Sequence, residues 1–151
     1  ENMESNINNN VGLFDGRDLS PNVMLGTDGM HSDMLKSMKA AYFGSIGKES
    51  VTMKEVYRRL RNVDRYIAEN DFSGHGSNNL IIFDYKSPTE VNESNIISHF
   101  VYGIESRDIK TVIAKGRIVY DEGEITTVDE NEITLFSRSM GKKLWENMDK
   151  I

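Results

Sequence analysis

One acidic residue, Asp28, lies where an enzyme could use it. It stands in the turn Gly26-Thr27-Asp28-Gly29, between the apolar run Val23-Met24-Leu25 and a helical pattern. This order predicts a buried strand over about residues 22–28 that ends in the turn. In α/β folds, ligands and catalytic groups collect at such strand ends. Asp28 is therefore a candidate functional residue, although Asp also stabilises turns and caps helices.

The three histidines do not complete a site around Asp28. His31 follows it by three residues, His75 lies in a Gly-Ser loop, and His99 lies in an apolar stretch. No two have the i, i+4 spacing of a helical metal pair. We interpret His99 as a packing residue and the other two as solvated loop residues. The sequence also lacks a Walker loop, a Gly-x-Ser-x-Gly elbow and a His-x-His pair, so its own residues predict no complete active site.

Composition excludes several classes of protein. The 151 residues contain no cysteine, which excludes a disulfide scaffold and a thiolate metal site and suits a reducing, cytoplasmic location. A formal net charge of −6 argues against a nucleic-acid partner. The densest basic stretch, Arg58–Arg61, is interpreted as the solvated face of a helix. Mean hydropathy is −0.50, and no apolar run approaches the roughly 20 residues of a membrane span, so we expect a soluble protein.

The first half of the chain predicts helices. Residues 1–22 are polar and rich in Asn and Gly, which predicts a loop. A helix is expected to begin after Ser32 or Asp33 as its cap and to end at the glycines of residues 44–47. A second helix is expected after the capping box Thr52–Glu55, in which the Thr hydroxyl and the Glu carboxylate satisfy backbone amides.

The second half predicts a small sheet and a closing helix. Leu80–Tyr85 is a strand candidate, and residues 111–120 carry a hairpin signal around Lys115-Gly116. A third strand is expected over Glu124–Val128. A helix introduced by residues 129–131 follows. Its apolar face would consist of Ile133, Leu135, Phe136, Met140, Leu144, Trp145 and Met148.

The order of four segments resembles one enzyme family. The segments are Met3-Glu4-Ser5-Asn6, Val23–Gly29, Leu80–Tyr85 and Val112–Val119. In order and spacing they are similar to the C-terminal part of metal-dependent amidohydrolases of the chlorohydrolase and aminohydrolase branch. The resemblance covers nearly the whole chain. The opening at Glu1, without an initiator Met, looks like a cut inside a longer protein.

The resemblance implies an α/β fold that is a C-terminal fragment. Residues 1–72 would form the end of a TIM-type barrel, with the last strand at about 22–28 and helices after it. Residues 73–151 would form the C-terminal portion of a composite β-sandwich with a closing helix. A complete barrel needs roughly 200 residues or more, so the missing N-terminal part of the barrel would be the chain's main partner.

The resemblance also implies a chemistry. Asp28 matches a metal ligand that helps to move protons, whereas Ser5 and Asn6 match a loop motif in which Met3 replaces the usual Pro. We expect these two residues to be structural, with contact to the substrate as the alternative role. The cofactor would be a divalent zinc or iron ion that activates a bound water. The intact enzyme would hydrolyse non-peptide carbon–nitrogen bonds and deaminate a small heterocyclic, purine-like substrate.

Two hypotheses about the isolated chain stay open. The first is a hydrolase fragment that is inactive alone, because the family's histidine ligands are absent from it. The second is a free-standing structural or interaction module, without enzymatic activity, whose exposed strand edges and helix faces bind a partner. Under either hypothesis, unpaired edges and apolar surface predict self-association into a homo-oligomer if the chain exists alone.

Overall fold

The computed structural model describes residues 2–9, 22–46, 51–72 and 78–150. The helices and strands among them, in chain order, are α1 (Met3–Asn8), α2 (Met34–Ser45), α3 (Met53–Glu69), β1 (Leu80–Phe83), α4 (Ile96–Tyr102), β2 (Ile109–Ala114), β3 (Arg117–Asp121), β4 (Glu124–Ile125) and α5 (Glu130–Met148). A short 3-10 helix, Ser106–Asp108, precedes β2. The fold is mixed α/β, and its backbone forms two compact units. The first comprises Glu1–His75 and Asp84–Ile109, and the second comprises Gly76–Phe83 and Lys110–Ile151.

The first unit has its own apolar core. Helices α2, α3 and α4 pack against one another around the buried side chains of Met38, Ala41, Val56 and Val101. Leu25, from the run before the Asp28 turn, packs against this cluster. The core therefore supports the segment that leads into the candidate functional residue.

Helix α2 begins where the sequence predicts, with Asp33 as its cap. The carboxylate of Asp33 accepts hydrogen bonds from the backbone N–H groups of Leu35 and Lys36, both at 3.1 Å. Helix α2 contains Gly44 and ends at Ser45, within the stretch of residues 44–47 where the sequence predicts its end. A glycine inside a helix costs only about 1 kcal/mol relative to Ala, which packing of α2 against its neighbours can offset. Gly47 lies outside the described residues.

Helix α3 also begins as predicted, since the Thr52 hydroxyl accepts from the Glu55 N–H at 3.1 Å. The Glu55 carboxylate pairs with Arg58 at 2.6 Å and with Arg59 at 3.3 Å. The interpretation of the basic stretch as a solvated face is wrong for Arg59, whose exposed fraction is 2%. The reason is helical spacing, which places Arg59 on the same side of α3 as the buried Val56.

The loop predicted over residues 1–22 is wrong for residues 3–8, which form α1. The side chain of Asn2 explains the helix start, since its Oδ1 accepts from the Ser5 N–H at 2.9 Å, as an N-cap does. The Asn9 N–H then donates to the Ser5 carbonyl at 2.9 Å. Residues 10–21 lie outside the described part of the chain.

The strand predicted over about residues 22–28 is not formed. Residues 23–27 have no regular secondary structure, and no strand of the described residues pairs with them. A β-strand requires a neighbour to which its backbone can hydrogen-bond. The segment is instead tied to α3, where the Asn62 side-chain amide donates to the Val23 carbonyl at 2.5 Å.

The second unit contains a four-stranded sheet in the order β1-β2-β3-β4. The predicted hairpin is confirmed, since β2 and β3 pair antiparallel around Lys115-Gly116. Both linking residues have positive φ, 52° and 74°, as a two-residue hairpin turn requires. Strand β4 pairs antiparallel with β3 and is shorter than predicted, because the chain soon turns into the cap of α5.

Helix α5 begins after its predicted cap, with Asp129 accepting from two backbone N–H groups. None of its residues is buried. Its large apolar side chains are exposed, with Leu135 at 66% and Trp145 at 64%. Within the described ranges, no helix is both long and apolar enough to cross a bilayer.

Candidate functional site around Asp28

Asp28 lies in a tight turn at the surface of the first unit. The Met30 N–H donates to the Thr27 carbonyl at 3.2 Å and closes the turn. Asp28 has a left-handed backbone, with φ at 50°, a conformation that Asp tolerates better than most residues. Its side chain is exposed. The turn therefore presents the carboxylate to solvent.

Ser5 of α1 contacts this carboxylate, since its hydroxyl donates to Asp28 Oδ2 at 3.3 Å. The two residues are 23 positions apart, and the fold brings them together. Asn6 also lies in α1, but its side chain is outside the described part of the structure. Of the two residues in the Ser5-Asn6 motif, Ser5 is thus the one with a described contact at the candidate site.

A second set of hydrogen bonds lies next to this contact and involves His31. The ring Nδ1 accepts from the Asp33 N–H at 3.0 Å. Nε2 therefore carries a hydrogen and donates to Glu4 Oε1 at 2.7 Å. The other oxygen of Glu4 accepts from the Ser37 hydroxyl at 2.9 Å.

The interpretation of His31 as a solvated loop residue is confirmed, since His31 is exposed and lies outside the helices and strands; its ring also makes a hydrogen bond to Glu4, which the sequence did not predict. The His31 side chain is 28% exposed and that of Glu4 19%. The residues are 27 positions apart. No local spacing pattern could reveal the pair, because helix and strand periodicities link only near neighbours.

The pKa of the Asp33 carboxylate, close to His31 in the chain, is shifted by its surroundings. Burial by itself would raise the pKa of Asp33. A hydrogen bond from Ser106, the charge of Lys36 and the backbone N–H groups of Lys36 and Leu35 all lower this pKa, and together they outweigh the effect of burial. The pKa is lowered on balance. Asp33 is therefore held as an anion at the start of α2, where the helix dipole also favours negative charge.

The described residues do not form a metal site by themselves. Among them, no three His, Asp or Glu side chains gather closely enough to hold an ion. Protein zinc sites use at least three side-chain ligands, and Asp28 would supply one. His75 lies outside the described residues. A metal at Asp28 would need further ligands from elsewhere.

His99 belongs to a separate group of residues in the same unit. Its Nδ1 lies 3.2 Å from the Tyr85 hydroxyl and its Nε2 lies 3.3 Å from the Thr89 hydroxyl. These contacts confirm the interpretation of His99 as a satisfied, half-buried packing residue. A pocket of about 370 Å³ adjoins it, lined by Tyr85, Pro88, Thr89, Asn95, Ser98, His99, Tyr102 and Gly103.

The chain is similar to curated bacterial and archaeal enzymes. It is 28% identical over 137 residues to a 5-methylthioadenosine/S-adenosylhomocysteine deaminase of Syntrophomonas wolfei, an alignment that covers 81% of this chain and 31% of the relative. It is 31% identical over 137 residues to a 5'-deoxyadenosine deaminase of Methanopyrus kandleri, covering 82% and 31%. Over 54 residues it is 41% identical to the Dictyoglomus thermophilum 5-methylthioadenosine/S-adenosylhomocysteine deaminase, covering 36% and 13%.

These relatives, at low identity, support the interpretation of this chain as a member of the amidohydrolase family. The chain spans about a third or less of the length of these relatives. No known family model matches it, and no solved structure shows a significant match. The similarity therefore agrees with the family that the order of sequence motifs indicates.

Proposed function

We propose that this chain is the C-terminal part of a metal-dependent aminohydrolase that removes an amino group from a purine-like substrate. The observation that carries the proposal is Asp28, which a left-handed turn presents to solvent in contact with the Ser5 hydroxyl. Relatives named as deaminases of adenosine derivatives support the same reaction. The substrate would be a small nucleoside or a similar heterocycle.

We infer the domain organisation from the same resemblance. Residues 1–72 would be the end of a barrel and residues 73–151 part of a β-sandwich. The absence of a paired strand beside residues 23–27, among the described residues, supports the idea that the missing N-terminal part provides the neighbour. Within the family, the run from Asp84 to Gly103 resembles the aminohydrolase SsnA. A cysteine-free sequence suits a cytoplasmic enzyme.

In this proposal Asp28 contributes one carboxylate to an active site that the rest of the protein completes. Zinc or iron would be the ion, since imidazole and carboxylate ligands suit both. The described residues alone do not hold such an ion, and the isolated chain is expected to be inactive. What Asp28 itself brings is an exposed carboxylate that can accept a proton.

The test uses the full-length protein that contains this chain. Ammonia release is measured with 5-methylthioadenosine, S-adenosylhomocysteine and 5'-deoxyadenosine, with zinc or iron(II) supplied. We expect Asp28→Asn to lower kcat about a hundredfold or more, as loss of an acid–base group does. The control is Asp64→Asn, which changes an exposed carboxylate that pairs with Arg61 on α3. Wild-type rates in the Asp28 variant would contradict the proposal, as would activity of the 151-residue chain alone.

The exposed apolar side chains of the second unit favour one alternative, a free-standing interaction module that forms homo-oligomers. The gene upstream of Glu1 distinguishes the two proposals. A continuous reading frame that encodes a His-x-His pair supports the hydrolase. A start codon next to Glu1, with no such frame, supports the module.

A further inference from the structure

We propose that Glu4, His31 and Ser37 are positioning residues for Asp28. Their hydrogen bonds hold helix α1 in the place where the Ser5 hydroxyl meets the Asp28 carboxylate. The catalytic part of this inference rests on the proposed role of Asp28, whereas the structural part does not.

The first step of the argument is that His31 has a fixed orientation. Both ring nitrogens are engaged, with Nδ1 accepting from the Asp33 N–H at 3.0 Å and Nε2 donating to Glu4 at 2.7 Å. Asp33 is itself fixed as the cap of α2. The imidazole therefore links the start of α2 to Glu4.

The second step is that both carboxylate oxygens of Glu4 accept hydrogen bonds. Oε1 accepts from His31, and Oε2 accepts from the hydroxyl of Ser37, which is 2% exposed. Hydrogen bonds of a partly buried carboxylate are stronger than those in water, because the local dielectric is low. Both partners of Glu4 belong to the α2 region, so this side chain attaches α1 to α2.

The third step concerns α1, which has six residues. A helix this short is not stable alone, so its position depends on its tertiary contacts. Glu4 and Ser5 are consecutive in α1. A loss of the Glu4 contacts would therefore release Ser5 from Asp28 as well.

The backbone around His31 supports the same conclusion. Asp28 and Ser32, on either side of it, both have left-handed φ angles, 50° and 55°. Such conformations persist where surrounding contacts determine them. The side chain of His31 provides contacts of this kind, which makes it an anchor for the segment that carries Asp28.

The structural test is hydrogen exchange of the full-length protein, followed by mass spectrometry over residues 3–9. We expect His31→Ala, Glu4→Ala and Ser37→Ala each to speed exchange in this segment about tenfold or more, because each removes a hydrogen bond to a charged carboxylate. His31→Gln, which keeps one donor and one acceptor, should restore part of the protection. Arg61→Ala, which breaks an exposed pair on α3, is the matched control and should leave the segment unchanged.

The catalytic test is a double-mutant cycle on kcat. Ser5→Ala and His31→Ala are each expected to lower kcat about tenfold, the lower end of what loss of an outer-shell partner costs. The double variant should be no slower than the slower single variant, because both changes act through one contact. A general loss of stability would instead add to the effect of Ser5→Ala.

The outcomes separate this inference from the proposed function. Unchanged exchange over residues 3–9 in the His31 and Glu4 variants would overturn the proposal that these residues hold α1 in place. Additive effects in the kinetic cycle would overturn their action on Asp28. If exchange accelerates as expected while Asp28→Asn leaves kcat unchanged, the hydrogen bonds of Glu4 are confirmed to hold α1 in place, and the proposed function fails.

Discussion

The two units of this protein differ in the exposure of their apolar side chains. In the first unit, Met38 and Val56 are fully buried between helices. In the second, Thr111 is the one buried side chain among the described residues, and Phe136 of α5 is 63% exposed. Both units have regular elements with sound caps and turns. Local sequence signals therefore indicate the helix caps and the hairpin in both units, whereas a core also requires surfaces that face one another.

The second unit exposes a large apolar surface. Exposed large apolar residues follow helical spacing along α5, at Ile133, Phe136, Met140 and Leu144. Surfaces of this kind mark sites of association. We therefore expect core substitutions to destabilise the first unit, whereas the described residues of the second unit offer no comparable apolar core to change.

The largest expected effect is that of Met38→Ala. It removes a side chain with no exposed surface and should lower the free energy of unfolding by about 2 to 5 kcal/mol. The matched change is Leu144→Ala on α5, which is 57% exposed and should stay within about 0.5 kcal/mol. Urea unfolding of the 151-residue chain measures both. Equal losses would contradict the contrast, and a larger loss for Leu144→Ala in the full-length protein would show that α5 is covered there.

A pair of glycine changes is expected to act in opposite directions. A Cβ at Gly103 would overlap the Tyr85 hydroxyl and lie 2.9 Å from Cζ, so Gly103→Ala must displace Tyr85 from His99. We expect a loss of about 1 to 3 kcal/mol. Gly141 of α5 has open space around it, so Gly141→Ala should stabilise that helix by about 0.5 to 1 kcal/mol. Thermal unfolding and far-ultraviolet circular dichroism report the two changes. Destabilisation by Gly141→Ala would show that α5 is packed in solution.

The smallest effects are expected at the two N-caps. Asp33→Ala should cost about 1 kcal/mol of stability in the first unit, whereas Asp129→Ala should reduce the helicity of α5 and leave the first unit unchanged. Unfolding of the first unit is measured by denaturant titration and α5 by circular dichroism.

The effect of Asp33→Ala should depend on pH. The pKa of Asp33 is lowered in the folded protein, so its charge contributes stability above the unfolded value of about 3.9. This contribution is lost as the pH falls through the lower folded value. The difference between wild type and Asp33→Ala should therefore be constant above about pH 5 and shrink in acid. A difference that grows in acid would contradict the direction of the shift.

Several elements could be predicted because their signals are local. The caps at Asp33, Thr52 and Asp129 and the hairpin at Lys115-Gly116 depend on residues within a few positions of one another. The strand predicted before Asp28 failed because pairing depends on a neighbour that the pattern of one segment cannot supply. The prediction that Arg59 is solvated failed for a similar reason, since the burial of a helical residue depends on what packs against that face of the helix.

The candidate site shows the same division. By itself, the sequence determined the types and order of the elements, the turn that carries Asp28 and the resemblance to a hydrolase family, because these depend on neighbouring residues and their order. Only the tertiary structure decided that Ser5 meets Asp28, that His31 bonds Glu4, and which apolar faces are buried. Contacts between residues more than twenty positions apart arise from packing, and neither helix nor strand periodicity encodes them.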